Sequence, residues 1–318
     1  MDHDLTPVLI GVGQVTERDF DAETGSSPLD LIEQAVMNAL QDAGISKAAL
    51  SELDTLAIVK SFRESTRNSP EVLANRLGAQ KATQWLMPNG GNGPQYLVNR
   101  YAAAIARGES RFALFSGSEA MATGRKYFKS TGEQPPWQEP SMNDPALLVE
   151  DVPLSTPHEN AHGLYQASTF YAMSENALRH HHGVSIDQHQ RAIGKLFAKF
   201  TDVAAQSAHA WYPTSRPAEE IAYPSASNRF VAWPYTKYMN AMNQINQSAA
   251  LLLTSVQYAK EMGVSGDKFV YLHGCADTRE MSISNRPNYY SSKAMSVMAE
   301  QVMATNNFSI GDMSYIDF

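Results

Sequence analysis

The sequence predicts an α/β fold interrupted by a long, mostly helical insertion. Three observations carry this. Residues up to about 119 alternate short apolar runs with amphipathic stretches, the same rhythm returns from about 234, and between them prolines cluster among helical patterns. The chain of 318 residues is 43% hydrophobic and 18% charged, enough to bury a substantial core in one large domain or two intimate ones.

Val8-Leu-Ile-Gly-Val-Gly13 reads as the first buried strand. A helix follows, with Ser27 as N-cap, Pro28 at its first position, Asp30 and Glu33 in its first turn, and Leu29, Ile32, Val36 and Leu40 as its core stripe. Gly44 closes that helix, and Leu56-Ala-Ile-Val59 is the next strand. Ser69-Pro70 opens a shorter helix that Gly78 ends, and Trp85-Leu-Met87 is a third strand. The turn Asn89-Gly-Gly-Asn-Gly-Pro94 leads into a helix with Leu97, Val98, Tyr101 and Ile105 on one face. Gly108 stops it before the strand Phe112-Ala-Leu-Phe115.

Within residues 120–233, Gln134-Pro-Pro-Trp-Gln-Glu-Pro140 marks an irregular stretch, and Ser185-Ile-Asp-Gln188 is a capping box. The helix it starts carries the stripe Ile193, Phe197, Phe200 and Val203. Ser248-Ala-Ala-Leu-Leu-Leu253 then reads as a strand leading to a helix capped by Gly263, and Phe269-Val-Tyr-Leu272 as another strand. Residues 291–305 suit a helix with Met295, Met298 and Val302 inward. Met313-Ser-Tyr-Ile-Asp-Phe318 reads as a strand cut short.

A net charge of -8 argues against nucleic acid or an anionic membrane surface as a partner. The single cysteine, Cys275, excludes an intramolecular disulfide framework and CxxC metal sites, and suits the reducing cytoplasm. The acidic start of the chain lacks a basic region followed by an apolar run, and no later stretch nears about 18 consecutive apolar residues, so neither export nor a membrane span is expected.

Gly11-Val-Gly13 lacks the third glycine of a dinucleotide fingerprint, Thr16 standing there, and reads as a tight turn at a strand end. His180, His181 and His182 point in different directions on a helix and read as a solvated C-terminal end. His158 and His162 lie one helical turn apart in a stretch without a packing stripe, which makes them substrate-contact candidates. Cys275, in His273-Gly-Cys-Ala-Asp277, is either a nucleophile tuned by its neighbours or a buried, inert thiol at a strand end. In the turn before the third helix, backbone N–H groups could stabilise an anion, or Asn92 could simply be an N-cap.

The order of these pieces resembles the N-terminal half and loop domain of the thiolase superfamily. Leu9-Ile-Gly-Val-Gly-Gln14 resembles the family's opening strand. Ala104-Ile-Ala-Arg-Gly-Glu-Ser-Arg-Phe-Ala-Leu-Phe-Ser-Gly-Ser-Glu-Ala-Met121 resembles its helix-strand signature. Asn240-Ala-Met-Asn-Gln-Ile-Asn-Gln-Ser-Ala-Ala250 is similar to a family segment that has serine where Met242 stands and aspartate where Asn246 stands. The Gly-Gly-Asn-x-Pro-Gln pattern resembles thiolase-like proteins related to the sterol-carrier-protein thiolases, often labelled acetyl-CoA acetyltransferases.

The resemblance implies a thiolase-like α/β core from 1–119 and 234–318, a loop domain at 120–233, and a C-terminal half largely absent. It places the lost cysteine nucleophile at Gly91, or Gly90 if the register slips by one, within the thioester-facing turn Gly91, Asn92 and Gly93. It implies CoA or acyl-CoA as substrate, with no covalently bound cofactor and no metal. His158, Met242 and Asn243 are the candidate substrate contacts. The implied function is acyl-CoA binding of the acyltransferase type; the alternative is a non-catalytic subunit or scaffold paired with a catalytic partner. A homodimer, as in many family members, or a partner subunit is the expected assembly.

Overall fold

The computed structural model describes residues 3–63 and 65–317. In chain order the elements are β1 (Pro7–Thr16), α1 (Pro28–Ala43), β2 (Thr55–Val59), α2 (Ser69–Leu77), β3 (Thr83–Met87), α3 (Gly93–Ala106), β4 (Phe112–Ala120) and α4 (Met121–Thr131). They continue as α5 (Pro157–Ala161), α6 (Ala167–His181), α7 (Ile186–Ala204), α8 (Ala218–Ala222), β5 (Phe230–Ala232) and β6 (Tyr235–Thr236). The last are β7 (Asn246–Ser255), α9 (Val256–Glu261), β8 (Val270–Tyr271) and α10 (Lys293–Asn306). Two compact units result: the residues up to Asp151 with Asn243–Cys275, and Val152–Met242 with the residues from Ala276 on.

The first unit is a six-stranded sheet in the order β3-β2-β4-β7-β1-β8. β2 runs parallel to β3 and β4, β7 is antiparallel to both β4 and β1, and β8 is antiparallel to β1. Side-chain alternation divides its core. Ile10, Leu56, Ile58, Leu114 and Leu252 pack with Leu29, Ile32 and Val36 of α1 and Leu73 of α2. Ala57, Phe115 and Leu253 join Leu97, Tyr101 and Ile105 of α3.

α1 begins as expected. Ser27 Oγ accepts from the Asp30 N–H at 3.2 Å while Asp30 Oδ2 accepts from the Ser27 N–H at 2.9 Å, and Gly44 leaves the helix at φ 72°. Gly11 and Gly13 do not form a strand-end turn. They lie inside β1, where a Cβ on Gly11 would come 2.3 Å from the Ala39 carbonyl oxygen and one on Gly13 would come 1.9 Å from that of Ala35. The glycines let α1 lie directly on the strand.

Composition placed the insertion at 120–233, whereas packing divides the chain at 151 and 242 and joins the residues from 276 to the second unit. Residues after α4 belong to the first unit because hydrogen bonds tie them there. Leu86 donates to the Ala146 carbonyl and accepts from the Leu148 N–H, extending the sheet past β3, and Glu71 accepts from the backbone of Met142 and Asn143. Arg76 pairs with Glu139.

The second unit has a small core of Ile193, Ile221, Ala222 and Met239. The α7 stripe is only partly inward: Ile193 is buried and Phe197 half-buried, but Phe200 and Val203 are exposed. α10 forms where a helix was expected, yet buries no side chain, and Met295 is exposed rather than inward. The strand expected over 269–272 contracts to two exposed residues. Residues 313–317 form no strand, and Phe318 lies outside the described residues.

Candidate functional site

β2 and β3 end level with one another, Val59 pairing with Met87, and β4 beside them runs three residues past Gly117, the other partner of Val59. The chain leaving β3 at Met87 turns into α3 through residues 88–92. Asn89 Nδ2 donates to the Lys60 carbonyl at 2.9 Å, and the Gly93 N–H donates to the Gly90 carbonyl at 3.0 Å. Gly93 is buried: a Cβ there would sit 3.3 Å from Met87 Cγ and 3.5 Å from Val59 Cγ2. It serves the packing of the helix start.

Gly91 differs from both neighbouring glycines. A Cβ on Gly90 would meet Asn92 Oδ1 at 2.9 Å, whereas one on Gly91 would meet nothing within 4 Å. Gly91 is exposed, so a side chain there would project into open space beside the start of α3. Asn92 occupies the N-cap position but its side chain makes no capping bond, unlike Ser27, Asn68 and Ser185 at α1, α2 and α7. The helix end keeps its partial positive charge without a side-chain oxygen to offset it. Such a position favours a thiolate, a carboxylate or a polarised carbonyl oxygen.

The other candidates lie elsewhere. Cys275 is exposed, which corrects the expectation of a buried thiol. β8 pairs with the first residues of β1, Val8 with Tyr271 and Leu9 with Val270, so it runs toward the rim opposite the ends of β2, β3 and β4. Four residues later, after at most about 14 Å of chain, Cys275 emerges on that opposite rim. The thiol therefore stands apart from the turn at Gly91. His158 is exposed on α5, and the His162 ring donates from Nδ1 to the His158 carbonyl at 2.9 Å. A capping box explains this segment locally: Thr156 Oγ1 accepts from the Glu159 N–H at 3.2 Å and Glu159 Oε2 accepts from the Thr156 N–H at 2.7 Å. Met242 is half-buried and Asn243 exposed, in irregular chain ahead of β7.

His180, His181 and His182 are exposed at the end of α6, where the His181 ring stacks on Tyr290 at 4.0 Å. Asn246 is fully buried. Its Nδ2 donates to Thr123 Oγ1 at 2.8 Å and to Glu17 Oε2 at 3.2 Å, while its Oδ1 accepts from the Thr123 N–H at 3.1 Å. An aspartate there would set two carboxylates against each other, which is why an amide fits.

One cluster had no local signal. Glu175 on α6 takes the His189 ring at 2.7 Å and the Tyr235 hydroxyl at 2.5 Å, and burial, ahead of that carboxylate, pushes the Tyr235 pKa up. Its members sit on α6, α7 and β6. Among the described residues no His, Cys, Asp and Glu side chains gather to hold a metal ion. No helix among them is long and apolar enough to cross a membrane.

The whole chain superposes on the monomeric SCP2-thiolase-like protein type 1 (STLP1) from Mycobacterium smegmatis with a TM-score of 0.79 at 30% identity. The fold is thiolase-like. The match takes in 60% of the STLP1 chain, so this thiolase-like chain spans about 60% of the length of that relative. Two further structures share the fold at lower identity. An Ltp2-ChsH2(DUF35) aldolase gives a TM-score of 0.68 at 17% identity, over 98% of this chain and 72% of that one. Acetyl-CoA acetyltransferase from Syntrophomonas wolfei gives 0.63 at 13%, over 98% and 77% respectively. No family model and no curated protein matches the sequence. Within the thiolase-like fold, β3, the glycine turn and α3 form the strand-turn-helix unit to which the sequence resemblance assigned the missing cysteine.

Proposed function

We propose that this thiolase-like chain binds acyl-CoA, as a protein of the acyltransferase type working on CoA thioesters of lipid metabolism, with the turn at Gly91 facing the acyl group. The observation that carries the reading is the open position at Gly91 beside a helix start without a side-chain cap. A thioester carbonyl placed there would lie in the field of α3, where partial positive charge favours the oxygen. A glycine cannot form an acyl-enzyme. Any transfer would therefore rest on positioning two substrates rather than on covalent catalysis. The lower-identity acetyl-CoA acetyltransferase match supports the fold alone.

A second reading, a non-catalytic subunit beside a catalytic partner, is favoured by unsatisfied apolar surface in the first unit. Val12 on β1 is 59% exposed, and Val270 and Tyr271 on β8 are exposed as well. The aldolase match names two components, Ltp2 and ChsH2, consistent with such a role.

Calorimetric titration of CoA and acetyl-CoA tests the first reading. Micromolar binding of acetyl-CoA is expected, with at least a tenfold loss in Gly91→Trp, whose indole fills the open position without meeting other atoms at Cβ. Equal affinity in the variant would remove the turn from the site. Gly93→Trp is a poor probe, because Gly93 is buried and a side chain there would begin already packed against Met87 and Val59 at the base of α3.

A further inference from the structure

At the end of β2 the structure keeps a buried polar atom without a partner. Ser61 is 6% exposed, yet its Oγ has no hydrogen-bond partner among the described residues. Folded proteins leave few such hydroxyls, because burial removes water without replacing its hydrogen bonds.

The position of Ser61 follows from the strand. Ala57 and Val59 face the α3 side of the sheet, while Leu56 and Ile58 face α1 and α2. Pairing continues one residue beyond β2, the Lys60 N–H donating to the Met87 carbonyl at 2.9 Å, so alternation carries Ser61 to the α3 side. Two contacts fix the height. The Lys60 carbonyl accepts from Asn89 Nδ2, and Val59 lies 3.5 Å from where a Cβ on Gly93 would stand. Residues 59 and 60 thus touch both ends of the turn, and Ser61 comes next beside it. The chain is then held by the Phe62 N–H donating to Glu119 Oε1 at 2.7 Å.

We propose that Ser61 donates the hydrogen bond that holds the carbonyl oxygen of an acyl thioester against the Gly91 turn. The inference rests on the thioester-site reading above. A serine hydroxyl can donate, a thioester carbonyl can only accept, and the bound acyl group supplies the partner that the fold withholds. Free CoA ends in a thiol, a weak acceptor, so Ser61 makes the site prefer acyl-CoA over CoA. The structure also holds its own control. Ser116 in β4 is 5% exposed with an unpartnered Oγ, but it shares its face with Phe112 and Leu114, toward α1 and α2.

The experiment titrates acetyl-CoA and CoA into the wild type, Ser61→Ala and Ser116→Ala, with thermal melts of each without ligand. The wild type is expected to bind acetyl-CoA about tenfold more tightly than CoA. Both variants should melt above the wild type, having lost an unsatisfied hydroxyl. Ser61→Ala alone should bring the two affinities to within about twofold. Should Ser61→Ala fail to fold, Ser61→Cys, similar in size and a weak donor, should lose most of the preference. A preference that survives in the Ser61 variant overturns the role of Ser61 and leaves the thioester site standing. No binding of acetyl-CoA to the wild type overturns both.

Discussion

Glu159 shows how a single side chain orders the stretch that holds His158. Its carboxylate is buried and takes the N–H groups of Thr156 and Ser284, the first at 2.7 Å and the second at 3.2 Å. Those donors, the Thr156 N–H foremost, pull its pKa from the ordinary 4.5 down to about 2. A lowered folded pKa stabilises the fold above the unfolded value, and that contribution is lost as the pH falls from about 4.5 to about 2. Glu159→Gln should therefore lower the Tm at pH 7, and the gap to the wild type should narrow through that window. Melts at pH 7, 4 and 2.5 check this, and a gap independent of pH would show that the charge of Glu159 contributes nothing. The histidine pair thus owes its placement to a cap, a role that the absence of a packing stripe in Ser155-Thr-Pro-His-Glu-Asn160 concealed.

At the scale of elements, β1 and α1 depend on glycine for their contact. A methyl group on Gly13 would fall 1.9 Å from the Ala35 carbonyl oxygen and 2.6 Å from the Ala39 N, both backbone atoms that cannot yield without moving the helix. Gly13→Ala should cost about 3 kcal/mol in urea denaturation. Gly44→Ala, with open space but φ 72°, should cost only about 1 kcal/mol. Similar costs for the two would mean that α1 can slide off the strand. The pair also marks what the sequence could disclose. Ser27, Pro28, Asp30 and Gly44 announce α1 through bonds between residues close in sequence, and Ser185 with Gln188 does the same for α7. Gly11 and Gly13 answer to α1, some 25 residues away, and so looked like a turn. The same divide runs through the candidate site. The glycine turn is local and legible, whereas a lone serine after a strand has no pattern, and the burial of Ser61 is a property of the folded chain that its sequence neighbours do not signal.

At the scale of the whole molecule, apolar burial is unevenly divided between the two units. The sheet of the first is packed on both faces, with Ile10, Ile58, Leu114 and Leu252 wholly buried on one and Phe115, Leu253 and Leu97 on the other. The second unit gathers only Ile193, Ile221, Ala222 and Met239, and α10 contributes no buried residue. Each Å² of apolar surface removed from water stabilises by roughly 25 cal/mol, so opening the second unit exposes far less and costs far less. Amide hydrogen exchange of the intact chain should show the gradient. Amides of β4 and β7 should exchange slowest, through global unfolding, those of α7 faster, and those of α10 fastest, through local opening. Protection of α10 equal to that of β4 would mean that a surface not visible in this chain buries the helix, and Met295, Val297 and Met298 would be the residues to carry that contact.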